Sequence, residues 1–144
     1  MEKKKKNKNI QIFFVILFLI IVITGFFLYN NYFIVGIQKK MIQFEIGNKI
    51  AFNVDTDAIY LGRTYPGGGA RRNVFIINSY DFPVIVSVKI KGNISTMTSI
   101  SENDFIVKPG ENKTLTYYAQ SKTDMPLGIY NGETTIIFRR VLFS

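Results

Sequence analysis

The 144-residue sequence predicts a mainly β protein, an antiparallel β-sandwich of seven to eight strands preceded by one N-terminal transmembrane helix. Three observations carry this prediction. An uncharged apolar run lies near the N-terminus, apolar and polar residues alternate beyond residue 40, and turn-forming proline or glycine residues recur about every ten positions. The expected organisation is a basic cytoplasmic tail at residues 1–9, the helix at 10–29, a juxtamembrane stalk at 30–40 and the sandwich at 41–144.

The transmembrane helix is predicted from residues 10–28, which read IQIFFVILFLIIVITGFFL and contain no charge. A helix of about 20 residues, rising about 1.5 Å per residue, spans the ~30 Å hydrocarbon core of a bilayer. Lysines precede the run, and Tyr29, Tyr32 and Phe33 follow it. Because positive charge stays on the cytoplasmic side, the sequence predicts a single-pass protein of the cell membrane with its N-terminus in the cytoplasm and its C-terminal domain outside.

Two other interpretations of the apolar run stay open. A cleaved export signal usually has a shorter apolar core, about 7 to 15 residues, and a small-residue cleavage site. In a pilin-like or archaellin-like filament subunit, the helix would leave the membrane and pack in a filament core; such precursors usually carry Gly or Ala after a basic residue, whereas Asn9 follows Lys8. Apolar residues resume at 33–37, so the helix is expected to continue to about residue 38 as a stalk.

The clearest strand lies at residues 83–91, where Val84, Val86, Val88 and Ile90 alternate with more polar positions. In the stretch 113–120, residues 115, 117 and 119 are expected to face inward and 114, 116 and 118 outward. No second helix is predicted, so the strands are expected to pair antiparallel and the sheets to pack face to face. The other predicted strands are 41–46, 50–54, 58–61, 73–78, 94–100, 105–107 and 129–138.

Four segments of the domain, residues 73–78, 82–88, 107–111 and 128–132, resemble the immunoglobulin-like and fibronectin-III-like domains of prokaryotic, archaeal-type, membrane-anchored surface proteins. Pro109 and Gly110 supply the two backbone conformations of a type II turn ahead of one strand. Tyr130, two residues after Gly128, is similar to the tyrosine-corner residue, whose hydroxyl bonds upstream backbone. The layout is also similar to that of archaellum stator proteins. The resemblance implies a fold and leaves the function open.

The composition excludes most catalytic chemistry. The chain has no Cys, His or Trp, so it lacks the usual zinc ligands, a thiol nucleophile and an imidazole base. About half of the net charge of +8 lies in the N-terminal tail, and the remainder is scattered without a basic helix. The sequence therefore predicts no enzymatic activity, no cofactor and no nucleic-acid partner.

The most unusual stretch is residues 65–72, which is a candidate ligand or partner loop. The successive amides of Gly67, Gly68 and Gly69 beside the guanidinium groups of Arg71 and Arg72 are typical of sites that cradle an anion such as a carboxylate. The other interpretation is a flexible hairpin with solvated arginines. The stretch is not a P-loop, because the Lys-Ser/Thr ending is missing and a strand follows.

Two Asn-x-Ser/Thr triplets, at Asn93 and Asn112, fit the N-glycosylation pattern and lie at predicted turns of an exported domain. The acids Asp55 and Asp57, with Asp81, Glu102 or Asp104, form too weak a pattern to predict a Ca²⁺ site. The apolar residues at 141–143 are expected to complete the core or, alternatively, to offer an edge to a partner.

The function predicted from these features is non-catalytic. The extracytoplasmic sandwich of a membrane-anchored surface protein would mediate protein–protein interaction with another envelope or surface protein, or within a surface appendage. The alternatives are the filament subunit described above and an anchored protein that binds a small ligand at the loop 65–72.

Overall fold

The computed structural model describes residues 2–49 and 58–141. These residues form one helix and eight strands, which confirms the predicted mainly β class. The elements are α1 (Glu2–Phe33), β1 (Ile34–Ile46), β2 (Ala58–Thr64), β3 (Gly69–Ile77), β4 (Val84–Gly92), β5 (Thr98–Ile100), β6 (Phe105–Val107), β7 (Asn112–Gln120) and β8 (Gly128–Arg140). The chain divides into two compact units, Met1–Val35 and Gly36–Ser144.

Helix α1 contains a segment, Ile10–Tyr29, that is long and apolar enough to cross a membrane. Its mean hydropathy is 3.0 and none of it is buried. A helix from the core of a soluble domain would instead hide most of such a surface. The segment has no proline and only one glycine, Gly25, so nothing in it interrupts the helix.

The predicted helical stalk is wrong. Helix α1 ends at Phe33, and Ile34 begins strand β1, so residues 34–38 are extended. The physical reason lies in the side chains of Ile34, Val35 and Ile37, whose branching at Cβ favours strands over helices. The same residues are apolar enough to look like a continued helix in the sequence.

The strands form two sheets. The order in the larger sheet is β2-β1-β8-β4-β6, and in the smaller one β3-β7-β5. The pairs β4–β6, β4–β8, β3–β7 and β5–β7 are antiparallel as expected. Strands β1 and β2 pair in parallel, with a bulge between Gln43 and Phe44. The prediction that the strands pair antiparallel is therefore wrong for this pair. A parallel pair needs a crossover connection of about a dozen residues, and residues 47–57 separate the two strands in the sequence.

The predicted strand at 94–100 is also shorter in the structure. Ser95 N donates to Gly92 O and Met97 N to Ile94 O, both at 3.1 Å, so the chain turns twice before β5. The strand predicted at 50–54 lies outside the described residues.

The core lies between the two sheets. In β7, Leu115, Tyr117 and Ala119 are buried while the neighbouring residues face outward, so the predicted alternation is confirmed. Tyr117 reaches across to the larger sheet, where its hydroxyl is 2.9 Å from Thr134 Oγ1 in β8. Burial raises the pKa of the Tyr117 hydroxyl, and this hydrogen bond lowers it by less. The two sheets therefore share a buried hydrogen bond between two neutral hydroxyl groups. The largest fully buried apolar side chains besides Tyr117 are Phe44, Ile42, Ile46, Ile94, Leu115, Ile136, Val84, Val86 and Val107.

Two turns have the geometry that the sequence suggested. Glu111 N donates to Lys108 O at 3.0 Å, and Gly110 has φ of 71° at the third position of that turn. A side chain would be strained there, as in a type II turn. At the start of β8, the Tyr130 hydroxyl donates to Pro126 O at 2.9 Å. This is the upstream backbone bond that the tyrosine-corner resemblance implies.

Candidate functional site

The glycine loop before β3 uses its amides for its own structure. Gly67 N donates to Lys122 O at 3.1 Å, and Gly68 N donates to Tyr65 O at 2.9 Å. Gly69 already belongs to β3, where it pairs with Gln120 of β7. The row of free amides that an anion cradle needs is therefore not formed at Gly67 and Gly68. A tight connection between β2 and β3 is formed instead, and the positive φ of Gly67, 81°, suits it.

The two arginines of this stretch lie in β3 and not in the loop. Successive residues of a strand point to opposite faces, so the side chains of Arg71 and Arg72 separate. Arg71 is exposed and pairs with Tyr118, while Arg72 is half-buried and pairs with the core residue Tyr117. Arg71 borders a cleft of about 640 Å³, whose other lining residues include Leu61, Arg63, Thr64, Ala70 and Gln120.

Strand β3 forms one edge of the smaller sheet, because it has β7 on one side and no strand on the other among the described residues. At nine residues it is long for an exposed edge. The flanking hydrogen bonds run from Asn78 N to Glu111 O, 3.1 Å, and from Ser121 N to Gly68 O, 3.0 Å. Hydrogen-bonded pairs alternate along an antiparallel ladder, so the even-numbered residues of β3 bond to β7. The odd-numbered residues direct their backbone N–H and C=O groups toward the open edge.

The same odd-numbered residues carry the outward side chains of β3. Phe75 is 65% exposed and Ile77 is 58% exposed, while Ile76 between them is buried in the core. Proteins usually protect a sheet edge with charge, proline or a bulge. Arg71 supplies charge in the first half of β3, whereas the exposed side chains of Phe75 and Ile77 in its second half are apolar, which is typical of a binding surface. We call the exposed side of residues 69–77 the β3 edge. Phe75 and Ile77 were not among the predicted site residues, although the apolar run at 74–77 indicates that both faces of the strand are apolar.

Searches against protein-family models, curated proteins and solved structures find no match to this chain.

The two glycosylation triplets have different surroundings. Asn93 lies in a tight turn, where its Oδ1 accepts a hydrogen bond from Asn131 N at 2.8 Å. Ile94 is fully buried, and the Ser95 hydroxyl donates to Gly92 O at 2.7 Å. The first triplet is thus held by the fold at all three positions.

The second triplet begins strand β7. Asn112 and Thr114 are both exposed on the outer face of the smaller sheet, directly across from Ile77 and Phe75 respectively. Their spacing of two residues puts both side chains on one face. Asn112 therefore presents its amide to solvent beside the β3 edge.

The acids considered as oxygen ligands do not gather in the described residues, where no group of three or more such side chains is found. Glu102 forms an ion pair with Lys113 at 2.8 Å, and Asp104 forms one with Arg139 at 2.7 Å. Asp104 also accepts a hydrogen bond from Ser87. Asp55 and Asp57 lie outside the described residues.

At the C-terminus, Val141 N donates to Pro83 O at 3.2 Å, which continues the contact between β8 and the chain before β4. The remaining apolar residues, 142–143, lie outside the described residues. The two alternatives for residues 141–143, completion of the core or an edge for a partner, therefore stay predictions.

Proposed function

We propose that this chain is a non-catalytic, single-pass membrane protein whose sandwich lies outside the cytoplasm and binds another protein through the β3 edge. The exposure of Phe75 and Ile77 on a long strand, whose outer edge has no partner strand among the described residues, carries the proposal. An added strand would satisfy the backbone groups at this edge, and the two apolar side chains would give it specificity.

The apolar segment Ile10–Tyr29 supports the membrane anchor in this proposal. The lysines that precede it support a cytoplasmic N-terminus, because cytoplasmic flanks carry an excess of Lys and Arg. With that orientation, the β3 edge meets proteins of the cell envelope or of a surface appendage.

The immunoglobulin-like assignment is part of the same proposal. The turn at residues 108–111 and the hydrogen bond from Tyr130 to Pro126 O support it, because both occur where the resemblance implies them. Many domains of this architecture act as recognition modules, so the likeness is compatible with binding but does not identify the partner.

Site-specific photocrosslinking in native membranes tests the binding surface. A benzoylphenylalanine that replaces Phe75 keeps an aromatic ring at the edge, and it is expected to give a discrete crosslinked protein product. Ile106 is the matched control, because it is also apolar and exposed, at 53%, but lies in β6 of the other sheet. The same label at position 106 is expected to give little product. Equal crosslinking at both positions, or none at position 75, contradicts the proposal.

The surroundings of the two triplets predict where a glycan is attached if the domain is exported as proposed. Asn112 is expected to be modified and Asn93 to stay unmodified, because the Asn93 side chain is held by Asn131 N, whereas Asn112 is exposed on an open face. Intact-mass measurement of the native protein is expected to show the loss of the glycan mass on Asn112→Gln and its retention on Asn93→Gln. A glycan found on Asn93, or none on either residue, contradicts this prediction.

A further inference from the structure

We infer that the partner of the β3 edge is a second copy of this chain. Two β3 strands would pair antiparallel about a twofold axis at Asn73 and join the two smaller sheets into one continuous six-stranded sheet. This inference rests on the proposed function, since it requires that the β3 edge is a binding surface, and it names the partner and the register.

The backbone of β3 fits this register. New hydrogen bonds can form only between residues whose N–H and C=O groups face the open edge, and these are the odd-numbered residues. Pairing about Asn73 places odd-numbered residues opposite odd-numbered residues throughout. It also uses the whole strand, because Gly69 lies opposite the partner's Ile77.

The side chains of β3 are self-complementary in the same register. Arg71 lies opposite the partner's Phe75, so each copy offers one guanidinium group to one exposed aromatic ring, and the contact occurs twice by symmetry. Arg72 lies opposite the partner's Val74. No charge therefore faces a like charge across the new pair, and Phe75 of each copy gains a cationic side chain as its cross-strand neighbour.

Neighbouring symmetric registers lack this fit. Pairing about Arg72 sets the two Arg72 residues directly opposite each other, which is unfavourable. Pairing about Val74 matches residues 71–77 and leaves Gly69 and Ala70 without a partner strand. The register about Asn73 is the one that both spans the strand and separates the cations.

Disulfide trapping of the full-length protein in membranes tests the register, and the chain favours the method because it contains no Cys. In the proposed pair, Asn73 faces its own copy with Cα atoms about 5.5 Å apart, which is within the range of a disulfide. Under mild oxidation, Asn73→Cys is expected to convert mostly to a covalent dimer of twice the 16.5 kDa chain mass. The Ile106→Cys variant, on the other sheet, is expected to stay monomeric.

Two more variants test which residues of the two β3 strands lie opposite each other. Arg71→Cys and Phe75→Cys are each expected to stay monomeric alone, and to form a mixed disulfide when the two chains are co-expressed. Thermal melting of the reduced variants checks that each one folds. An Asn73→Cys variant that folds but dimerises no more than Ile106→Cys overturns the inference, as does an Arg71→Cys homodimer that forms more readily than the mixed pair.

The failure of this inference is distinguishable from the failure of the proposed function. If photocrosslinking at position 75 yields a product of a different protein while Asn73→Cys stays monomeric, the edge binds but the second copy is the wrong partner. If position 75 gives no product and Asn73→Cys stays monomeric, both the proposed function and the inferred partner are wrong.

Discussion

Two arginines placed at the middle of the apolar span are expected to release the protein from the membrane. Leu19 and Ile20 lie at the centre of Ile10–Tyr29. At a helix centre, an arginine costs about 2.5 to 3.5 kcal/mol for insertion, whereas leucine or isoleucine contributes about −0.3 to −0.6 kcal/mol. The double variant Leu19→Arg/Ile20→Arg therefore loses about 6 to 8 kcal/mol, which is comparable with the favourable insertion energy of the whole span.

Alkaline carbonate extraction measures this effect, because it removes proteins that are not integrated in the bilayer. The wild type is expected in the membrane pellet and the double-arginine variant in the supernatant. Leu19→Ala/Ile20→Ala is the matched control, since it changes the same positions without adding charge and is expected to stay in the pellet. An arginine variant that remains resistant to extraction is evidence against a membrane span.

N-terminal sequencing of the wild type separates the anchor from the filament interpretation. An intact basic tail is expected for the anchor, because the cytoplasmic lysines hold its orientation. A mature N-terminus near Ile10 is expected for a processed filament subunit and would replace the proposed function.

The helix and the alternating strands could be predicted from the sequence because both depend on neighbouring residues. The uncharged run identified α1, and the two-residue period identified the buried faces of β4 and β7. The parallel pairing of β1 with β2 could not be predicted, because it depends on which distant strands meet. The switch to a strand at Ile34 was missed for another reason: a short apolar run is compatible with both a helix and a strand.

The sequence prediction placed the candidate site at residues 65–72, whereas the proposed binding surface lies along the strand that begins at Gly69. The glycines at 67–69 suggested free amides, yet Gly67 N donates to Lys122 O and Gly68 N donates to Tyr65 O. The bond to Lys122 could not be predicted, because Lys122 lies far from Gly67 in the sequence. Phe75 and Ile77 look like ordinary core residues in the sequence. Only the order of the strands in the sheet shows that β3 is an edge and that its odd-numbered side chains are exposed.

Asn78 is a further residue whose importance only the structure reveals. In the sequence it is the polar end of a predicted strand, but its side chain is 1% exposed. Its Nδ2 donates to Phe82 O and to Val107 O, both at 2.9 Å, and its Oδ1 accepts from Tyr80 N at 3.0 Å. One amide thus joins the end of β3 to the turn before β4 and to the end of β6.

Replacement of Asn78 by alanine is expected to lower the free energy of unfolding by about 3 kcal/mol or more. A backbone group that loses its partner in a buried position costs about 1 to 3 kcal/mol. Asn78 satisfies one fully buried group, Val107 O, and two partly buried ones, Phe82 O and Tyr80 N. Because a domain of this size has about 5 to 15 kcal/mol of stability in total, this change alone removes a large fraction of it.

Denaturant unfolding of the detergent-solubilised full-length protein, followed by circular dichroism, measures the loss. Asn48→Ala is the control, because Asn48 is exposed and its replacement is expected to change stability by less than about 0.5 kcal/mol. Asn78→Asp is expected to be at least as destabilising as the alanine variant. It keeps the acceptor for Tyr80 N but sets a buried carboxylate against two carbonyl oxygens. If Asn78→Ala unfolds at the same denaturant concentration as Asn48→Ala, the three hydrogen bonds do not hold this end of the sandwich together.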